Sequence, residues 1–278
     1  MTKAAGTSPA HPALDLAIEI LADLVAFPSV SQQPNDTIVS YIETRMRDLG
    51  MRCVRDAHED GQRFNLLASA GPQRPGGVLL SGHMDVVPAS PDGWTGDPFI
   101  LRRDDGRLHG RGAVDMKGFI AIVLASLPDI MAQADSLSMP LHVALSFDEE
   151  TGFFGASQLP AFFDSIGLRA EIAIIGEPTN MQPFVGHKGG MELTTVVTGT
   201  SGHASQPAGT VNAVYSAARL VDFMRSCADD LAAAPIEGSP FNPPHTSLSV
   251  GVIRGGEARN IIPDRCEIDW EIRAHPGD

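Results

Sequence analysis

Four segments of the sequence carry a histidine or a carboxylate close to the end of an apolar stretch. In the segment 81–88, His83 and Asp85 are two residues apart, so on an extended backbone their side chains project from the same face. A neutral imidazole can bind a metal ion through one nitrogen while a carboxylate near the other nitrogen fixes its tautomer. Taken alone, the same pair could be a His–Asp hydrogen bond at a strand end, without a metal.

The other three segments contribute acidic residues. Asp115 precedes an apolar helix, where a carboxylate is favoured and could serve only as a cap. The run Asp-Glu-Glu at 148–150 follows an apolar strand, and three consecutive carboxylates repel one another unless cations gather them; a solvated acidic loop is the alternative. Glu177 ends another apolar strand, and Pro178 keeps its backbone extended.

These groups are expected to converge at one edge of a sheet. In open α/β sheets, sites lie where the strands end. A histidine among carboxylates is a donor set that suits zinc, cobalt or manganese. The sequence therefore predicts a metal centre at this edge.

The pattern of apolar residues predicts the elements that position the centre. Helical spacing runs from Leu14 to Val25, and a second helix is expected from Asn35 or Asp36, whose side chain can cap it, to Gly50. Strands and helices then alternate up to residue 175, which predicts an α/β domain with a central, mostly parallel sheet.

Beyond residue 180 the pattern changes to polar–apolar alternation. One helix is expected around 213–231, with strands at 247–253 and 266–272. This order is typical of a small α+β unit with an antiparallel sheet. We therefore predict a first domain over 1–182 and a second over 183–278.

Composition excludes several classes of partner. The chain has 34 acidic and 20 basic residues, a formal charge of -14, and its basic residues are scattered, so neither nucleic acid nor an anionic membrane surface is an expected partner. Residues 1–12 contain no apolar run typical of a signal peptide, and the apolar stretch 119–127 is too short to cross a bilayer. These features predict a cytoplasmic protein, and the three widely spaced cysteines predict no disulfide framework.

Four motifs together resemble a known family. They are His-Met-Asp-Val-Val-Pro at 83–88, Gly-Arg-Gly-Ala-Val-Asp-Met-Lys-Gly at 110–118, Asp-Glu-Glu-Thr-Gly at 148–152 and Gly-Glu-Pro-Thr at 176–179. This combination resembles the acetylornithine deacetylase and succinyl-diaminopimelate desuccinylase family of co-catalytic zinc hydrolases. The resemblance implies a zinc-peptidase-like catalytic domain with an inserted, ferredoxin-like lid and dimerisation domain.

The resemblance implies roles for the residues of the predicted centre. His83 and Glu177 would bind one Zn²⁺, Glu150 would bind a second, and Asp115 would bridge the two; Co²⁺ or Mn²⁺ could substitute. Glu149 would be the general base that takes a proton from the attacking water and returns it to the departing amine. Asp85 would orient His83 by contacting the ring nitrogen that does not bind the metal.

The second domain also matches the family. The segment 200–207 resembles a lid motif in which the histidine, here His203, reaches the partner subunit's site and holds the developing oxyanion, which implies a homodimer. A strand-end histidine with only local hydrogen bonds is the alternative. Asn260 and Arg273 stand at positions that resemble binders of the substrate carboxylate.

The implied substrate is a small N-acyl amino acid. Glu177 is typical of deacylases in the family, and the segments 185–190 and 260–273 are most similar to acetylornithine deacetylases, which convert N2-acetylornithine to ornithine and acetate in arginine biosynthesis. Succinyl-diaminopimelate desuccinylation and deacylation of other N-acyl amino acids, or a carboxypeptidase activity, are the alternatives.

One family feature has no match in this sequence. The chain ends at Asp278, within the lid, and the histidine that completes the second zinc site in the family has no counterpart here. We expect a fragment of an active enzyme with an incomplete second site and an incomplete lid; a truncated, catalytically impaired remnant is the alternative.

Overall fold

The computed structural model describes residues 12–90 and 92–276. Residues 1–11, where the absence of a signal peptide was predicted, lie outside the described residues, and so do residues 277–278 at the chain end. The chain forms two compact units, Met1–Met181 and Gln182–Asp278. No helix in the described residues is long and apolar enough to cross a membrane.

The first unit combines helices with a five-stranded sheet. Its elements are, in chain order, α1 (Pro12–Ala26), α2 (Asp36–Asp48), β1 (Arg52–Ala57), β2 (Phe64–Ala70), β3 (Val78–His83), β4 (Arg102–Asp104), β5 (Arg107–His109), α3 (Lys117–Met131), a short 3-10 helix (Ala134–Ser136), β6 (Leu141–Ser146), α4 (Phe154–Ser165) and β7 (Ile172–Ile175).

The sheet brings distant parts of the chain side by side. Its strand order is β1-β2-β6-β3-β7. β3 runs parallel to both β6 and β7, whereas β1 pairs with β2 and β2 with β6 in antiparallel fashion. His83 is opposite Ser146, and Ser81 is opposite Ile175. The ends of three neighbouring strands therefore meet at one edge.

Apolar side chains cover both faces of this sheet. Leu66 and Leu67 are consecutive on β2 and pack into different apolar clusters, because successive side chains of a strand point to opposite faces. The larger cluster includes buried residues of α1, α2 and α3, and the smaller one includes Leu159 of α4. This packing explains why β2, β3 and β6 each carry apolar residues at consecutive positions.

The second unit is a small α+β structure. It contains β8 (Met191–Thr198), β9 (Gly202–His203), α5 (Ala213–Ala233), β10 (Ser247–Gly255), β11 (Ile261–Ile262) and β12 (Arg265–Arg273). β10, β12 and β8 form an antiparallel sheet in that order, and β9 pairs with β11. The side chain of Asn212 caps α5 by accepting a hydrogen bond from the backbone N–H of Tyr215.

One local prediction differs from the structure, and some short strands were not predicted. Asn35 precedes α2, but its side chain makes no cap hydrogen bond. Its amide instead donates to the carbonyl of Phe64 and accepts from the N–H of Phe64, both at 2.9 Å, so it mimics a strand partner. Strand β1 and the β4–β5 hairpin were not predicted, because their short, largely exposed sequences lack a clear alternation.

Candidate metal centre

The predicted acidic and histidine residues of the first unit gather at the edge where β6, β3 and β7 end. His83 is the last residue of β3, and Glu177 lies two residues beyond β7. Gly176 continues the pairing with β3, because its N–H donates to the carbonyl of Ser81 at 3.0 Å. A Cβ atom at Gly176 would lie 2.0 Å from the ring of Phe119, so only glycine fits beside the glutamate.

Three side chains form a compact donor cluster. Donor atoms of His83, Asp115 and Glu177 all lie within 4.8 Å of one another. The Nε2 atom of His83 is 3.1 Å from Oδ1 of Asp115 and 3.9 Å from Oε1 of Glu177. Zinc bonds of about 2.1 Å in a tetrahedral site separate their donor atoms by about 3.4 Å. The observed distances bracket this value, so the residues fit a bound metal ion.

His83 is oriented for such a role by its buried surroundings. The side chain is 1% exposed, and Nδ1 lies 3.0 Å from the backbone oxygen of Asp85. In the neutral imidazole that binds a metal ion, a proton on Nδ1 donated to this oxygen leaves the Nε2 lone pair directed at the carboxylates. Burial lowers the pKa of His83, but Asp85, by hydrogen bond and charge, and the charge of Glu149 outweigh it and raise the pKa to about 9.

Burial and the repulsion between neighbouring carboxylates raise the pKa values of the three glutamates near His83. Burial, with the charge of Glu177 and other carboxylates added, raises the pKa of Glu149 to about 7 against the opposing charge of His83. Burial is also the largest cause that raises the pKa of Glu150 and of Glu177, and the charge of Asp115 adds to it in both. A cation among these groups would relieve their mutual repulsion.

Asp85 holds the backbone of the acidic segment. Its Oδ1 accepts a hydrogen bond from the N–H of Glu149 at 3.0 Å, and its Oδ2 accepts from the N–H of Glu150 at 3.3 Å. Ser31 donates its hydroxyl to Oδ2 at 2.6 Å. Burial raises the pKa of Asp85, but the hydrogen bonds from His83, Ser31 and the N–H of Glu149, with the charge of His83, bring the pKa below its ordinary value. Asp85 thus ties His83 to both glutamates.

Glu150 lies outside the compact cluster but next to it. It lines a cavity of about 370 Å³ together with Asp115, His109 and Arg111. The guanidinium of Arg111 lies over the ring of Trp94, 5.3 Å from its centroid. Asp115 therefore faces both the compact cluster and this cavity.

The predicted residues of the second unit fall in two places. His203 is paired with Ile261, and the N–H of Ala204 donates to the carbonyl of Asn260 at 3.0 Å, so His203 and Asn260 are close neighbours. The N–H of Ser205 donates to Nδ1 of His203 at 3.2 Å, which leaves Nε2–H of the exposed imidazole as a donor. Arg273 ends β12 and pairs with Glu271 at 2.9 Å.

Several residues around the centre were not singled out from the sequence. Ser31 gave no signal, because a serine in a loop is ordinary. Lys117 is fully buried and donates to the carbonyl of Phe27 at 2.7 Å. Asp148 was grouped with the two glutamates as a run of acids, yet its carboxylate contacts Arg63 and the N–H of Gln32.

A family model and a curated relative both match this chain. Residues 79–276 match the model of a family described as peptidase family M20/M25/M40. Acetylornithine deacetylase from Klebsiella pneumoniae (strain 342) is 39% identical over 270 residues, which cover 94% of this chain and 68% of that protein.

Solved structures share the fold. An M20 family metallo-carboxypeptidase from Sulfolobus solfataricus superposes with a TM-score of 0.77 at 17% identity, covering 94% of this chain and 72% of the other. A dinuclear metal-binding peptidase of the M20 family from Bacillus subtilis has a TM-score of 0.59 at 16% identity, covering 94% and 64%. The predicted α/β fold class, with its second α+β unit, is confirmed.

Proposed function

The chain belongs to peptidase family M20/M25/M40, and from this premise we propose that it is a metal-dependent amidohydrolase that removes the acyl group of an N-acyl amino acid. The cluster of His83, Asp115 and Glu177, with donor atoms within 4.8 Å, is the observation that carries the proposal. Similarity to acetylornithine deacetylase favours N2-acetylornithine as the substrate and ornithine and acetate as the products.

The donor set suggests how metal ions are held. We assign His83 and Glu177 to one ion, Glu150 to a second and Asp115 to both, with Zn²⁺ as the native metal and Co²⁺ or Mn²⁺ as substitutes. The support is that Asp115 faces both the cluster and the cavity that Glu150 lines. Such ions, when bound, polarise an acyl carbonyl and lower the pKa of water.

Glu149 is the proposed general base. Its Oε2 lies 3.8 Å from Nε2 of His83, at the border of the cluster, and its backbone N–H is held by Asp85. From this position the carboxylate can take a proton from an attacking water and return it to the departing amine. Asp85 contributes by orienting His83 and the acidic segment.

A substrate panel tests the proposed activity. We expect the Zn²⁺-loaded or Co²⁺-loaded full-length protein to release ornithine from N2-acetylornithine faster than it releases products from N-succinyl-diaminopimelate, other N-acyl amino acids or dipeptides. Amine release is measured with the metal content of each sample, and a metal-depleted sample is the control. Metal binding without amine release from any of these compounds would contradict the proposal.

We further propose that two copies associate through the second unit and that His203 acts in the site of the other copy. The Nε2–H of the exposed His203 imidazole is suited to donate a hydrogen bond to an oxyanion. We expect His203→Ala to lower kcat about 100-fold without loss of metal, as for a removed oxyanion donor. The exposed His187 provides the control variant His187→Ala, which should keep its activity.

Mixing of two inactive variants tests the exchange between copies. In a shared site, Glu149 comes from one copy and His203 from the other, so His203→Ala and Glu149→Gln remove groups that different copies contribute. If the site is shared, random mixed dimers regain about a quarter of the normal activity, because half of the dimers carry one intact site of two. No recovery in a mixture that sediments as a dimer would contradict the shared site.

A further inference from the structure

We infer that Asp148 is a positioning residue for Glu149 and Glu150, and that Arg63 and the segment 27–32 hold it in that role. The inference rests on the proposed function, because it concerns how that site is kept in shape. Asp148 itself faces away from the cluster, so it is neither a candidate ligand nor a candidate base.

The backbone at Asp148 makes the turn that presents both glutamates. Asp148 has a φ of 50°, in the left-handed region that aspartate tolerates better than most residues. An extended continuation of β6 would send consecutive side chains to opposite faces. Instead, the N–H groups of Glu149 and Glu150 both meet the carboxylate of Asp85, at 3.0 and 3.3 Å.

The carboxylate of Asp148 anchors this turn from the inside. Its side chain is 2% exposed. Oδ1 accepts a hydrogen bond from the N–H of Gln32 at 2.6 Å, and Oδ2 forms an ion pair with Nη1 of Arg63. A buried carboxylate is tolerated only with such partners, so the turn is fixed by the groups that meet it.

Arg63 also makes contacts that fix its own position next to Asp148. Its Nε pairs with Oδ2 of Asp60 at 2.7 Å, and its guanidinium lies 5.6 Å from the centroid of the Phe147 ring. The carboxylate of Asp60 also accepts from the backbone N–H of Gln62 at 2.9 Å. The cation therefore reaches Asp148 from a rigid turn.

The segment 27–32 joins Asp148 to Asp85 by a second route. Ser31 donates its N–H to the carbonyl of Val86 at 3.1 Å and its hydroxyl to Asp85 at 2.6 Å. Gln32, the next residue, donates its N–H to Asp148. Asp85 and Asp148 are thus linked through residues 31 and 32 on one side and through the turn at 148–150 on the other, and this closed ring fixes the glutamates.

A matched pair of arginines separates positioning from stability. Arg55 resembles Arg63, since its Nε pairs with Glu43 at 2.6 Å, its Nη1 pairs with Asp36 at 2.5 Å, and its guanidinium lies 5.6 Å from the Phe64 ring centroid. The side chains of Arg55 and Arg63 are 27% and 16% exposed. Arg55 touches no residue of the candidate centre in the described contacts.

The experiment compares Arg63→Met with Arg55→Met in the full chain. Both variants should have a lower Tm. Only Arg63→Met should bind Co²⁺ about 10-fold more weakly by calorimetry and lose about 10-fold to 100-fold in kcat, the range typical of groups behind metal ligands. Its KM should stay within about twofold of the normal value, and Arg63→Lys should recover part of both losses.

Asp148→Asn provides a second variant that keeps the side-chain shape and the tolerance for a left-handed backbone. It should show the same losses in Co²⁺ affinity and kcat. Equal Co²⁺ affinity and kcat in Arg63→Met and Arg55→Met, or normal values in Asp148→Asn, would overturn the inference. Co²⁺ binding is read without substrate, so a wild-type chain that binds Co²⁺ but hydrolyses no amide would refute the proposed function alone.

Discussion

Glu149→Gln abolishes turnover and leaves the metal bound: this is the result that we expect from the proposed general base. The amide keeps the shape of the glutamate, and the backbone N–H still meets Asp85 at 3.0 Å, so the acidic segment keeps its path. It cannot accept the proton of the attacking water. General acid–base catalysis contributes about 10²-fold to 10⁴-fold, so we expect kcat to fall by about 10³-fold.

The measurement pairs kcat on N2-acetylornithine with metal content by atomic emission. Glu171→Gln, at an exposed position of the same unit, serves as the control and should remain active. A Glu149→Gln protein that retains more than about a tenth of normal turnover would remove Glu149 from the mechanism, since a general base typically contributes at least about 10²-fold. Loss of metal from the variant would instead identify Glu149 as a ligand.

Asp115→Asn should disable the centre at the level of metal binding. Asp115 lies 3.1 Å from Nε2 of His83 and also lines the cavity next to Glu150, so its carboxylate would contact both ions. An amide carries no charge and is a poorer ligand than a carboxylate. Residues that only hydrogen-bond to metal ligands typically change metal affinity by about 10-fold to 100-fold when they are replaced. Loss of a shared ligand should therefore weaken Co²⁺ binding by at least about 100-fold and reduce turnover to background.

Calorimetric titration of Co²⁺ into the metal-depleted chain measures this effect. The control is Asp104→Asn, at an exposed position on β4. Removal of metal from the wild type by a chelator should reproduce the loss of turnover, and added Zn²⁺ or Co²⁺ should restore it. Unchanged Co²⁺ affinity in Asp115→Asn would rule out Asp115 as a ligand.

The positions of His83 and Glu177 could be predicted because both depend on local patterns. Each follows an apolar strand, and neighbouring parallel strands end at the same edge. The proximity of Asp115 is less local, since it depends on how α3 packs on the sheet. Its position before an apolar helix indicated the same edge, and the resemblance to the family implied its role as a shared ligand.

The contacts that hold the turn at 148–150 could not be predicted in the same way. Arg63 pairs with Asp148 across 85 positions of sequence, and nothing in the turn around residue 63 indicates its partner. Three adjacent acids in the sequence indicated one cluster, but Asp148 departs from it because a left-handed backbone turns its side chain inward. Such pairings follow from the packing of loops, for which sequence periodicity gives no signal.

The strand order also determines when the centre can form during synthesis. β1 and β2 are adjacent in sequence and can pair as soon as both have left the ribosome, whereas both partners of β3 come later, from residue 141 onward. At about 5 to 20 residues per second, β3 waits several seconds with an unpaired apolar edge. Throughout the synthesis of residues 84–140 the nascent chain therefore carries an unpaired apolar strand, and the complete cluster of His83, Asp115 and Glu177 exists only after residue 177 has been added.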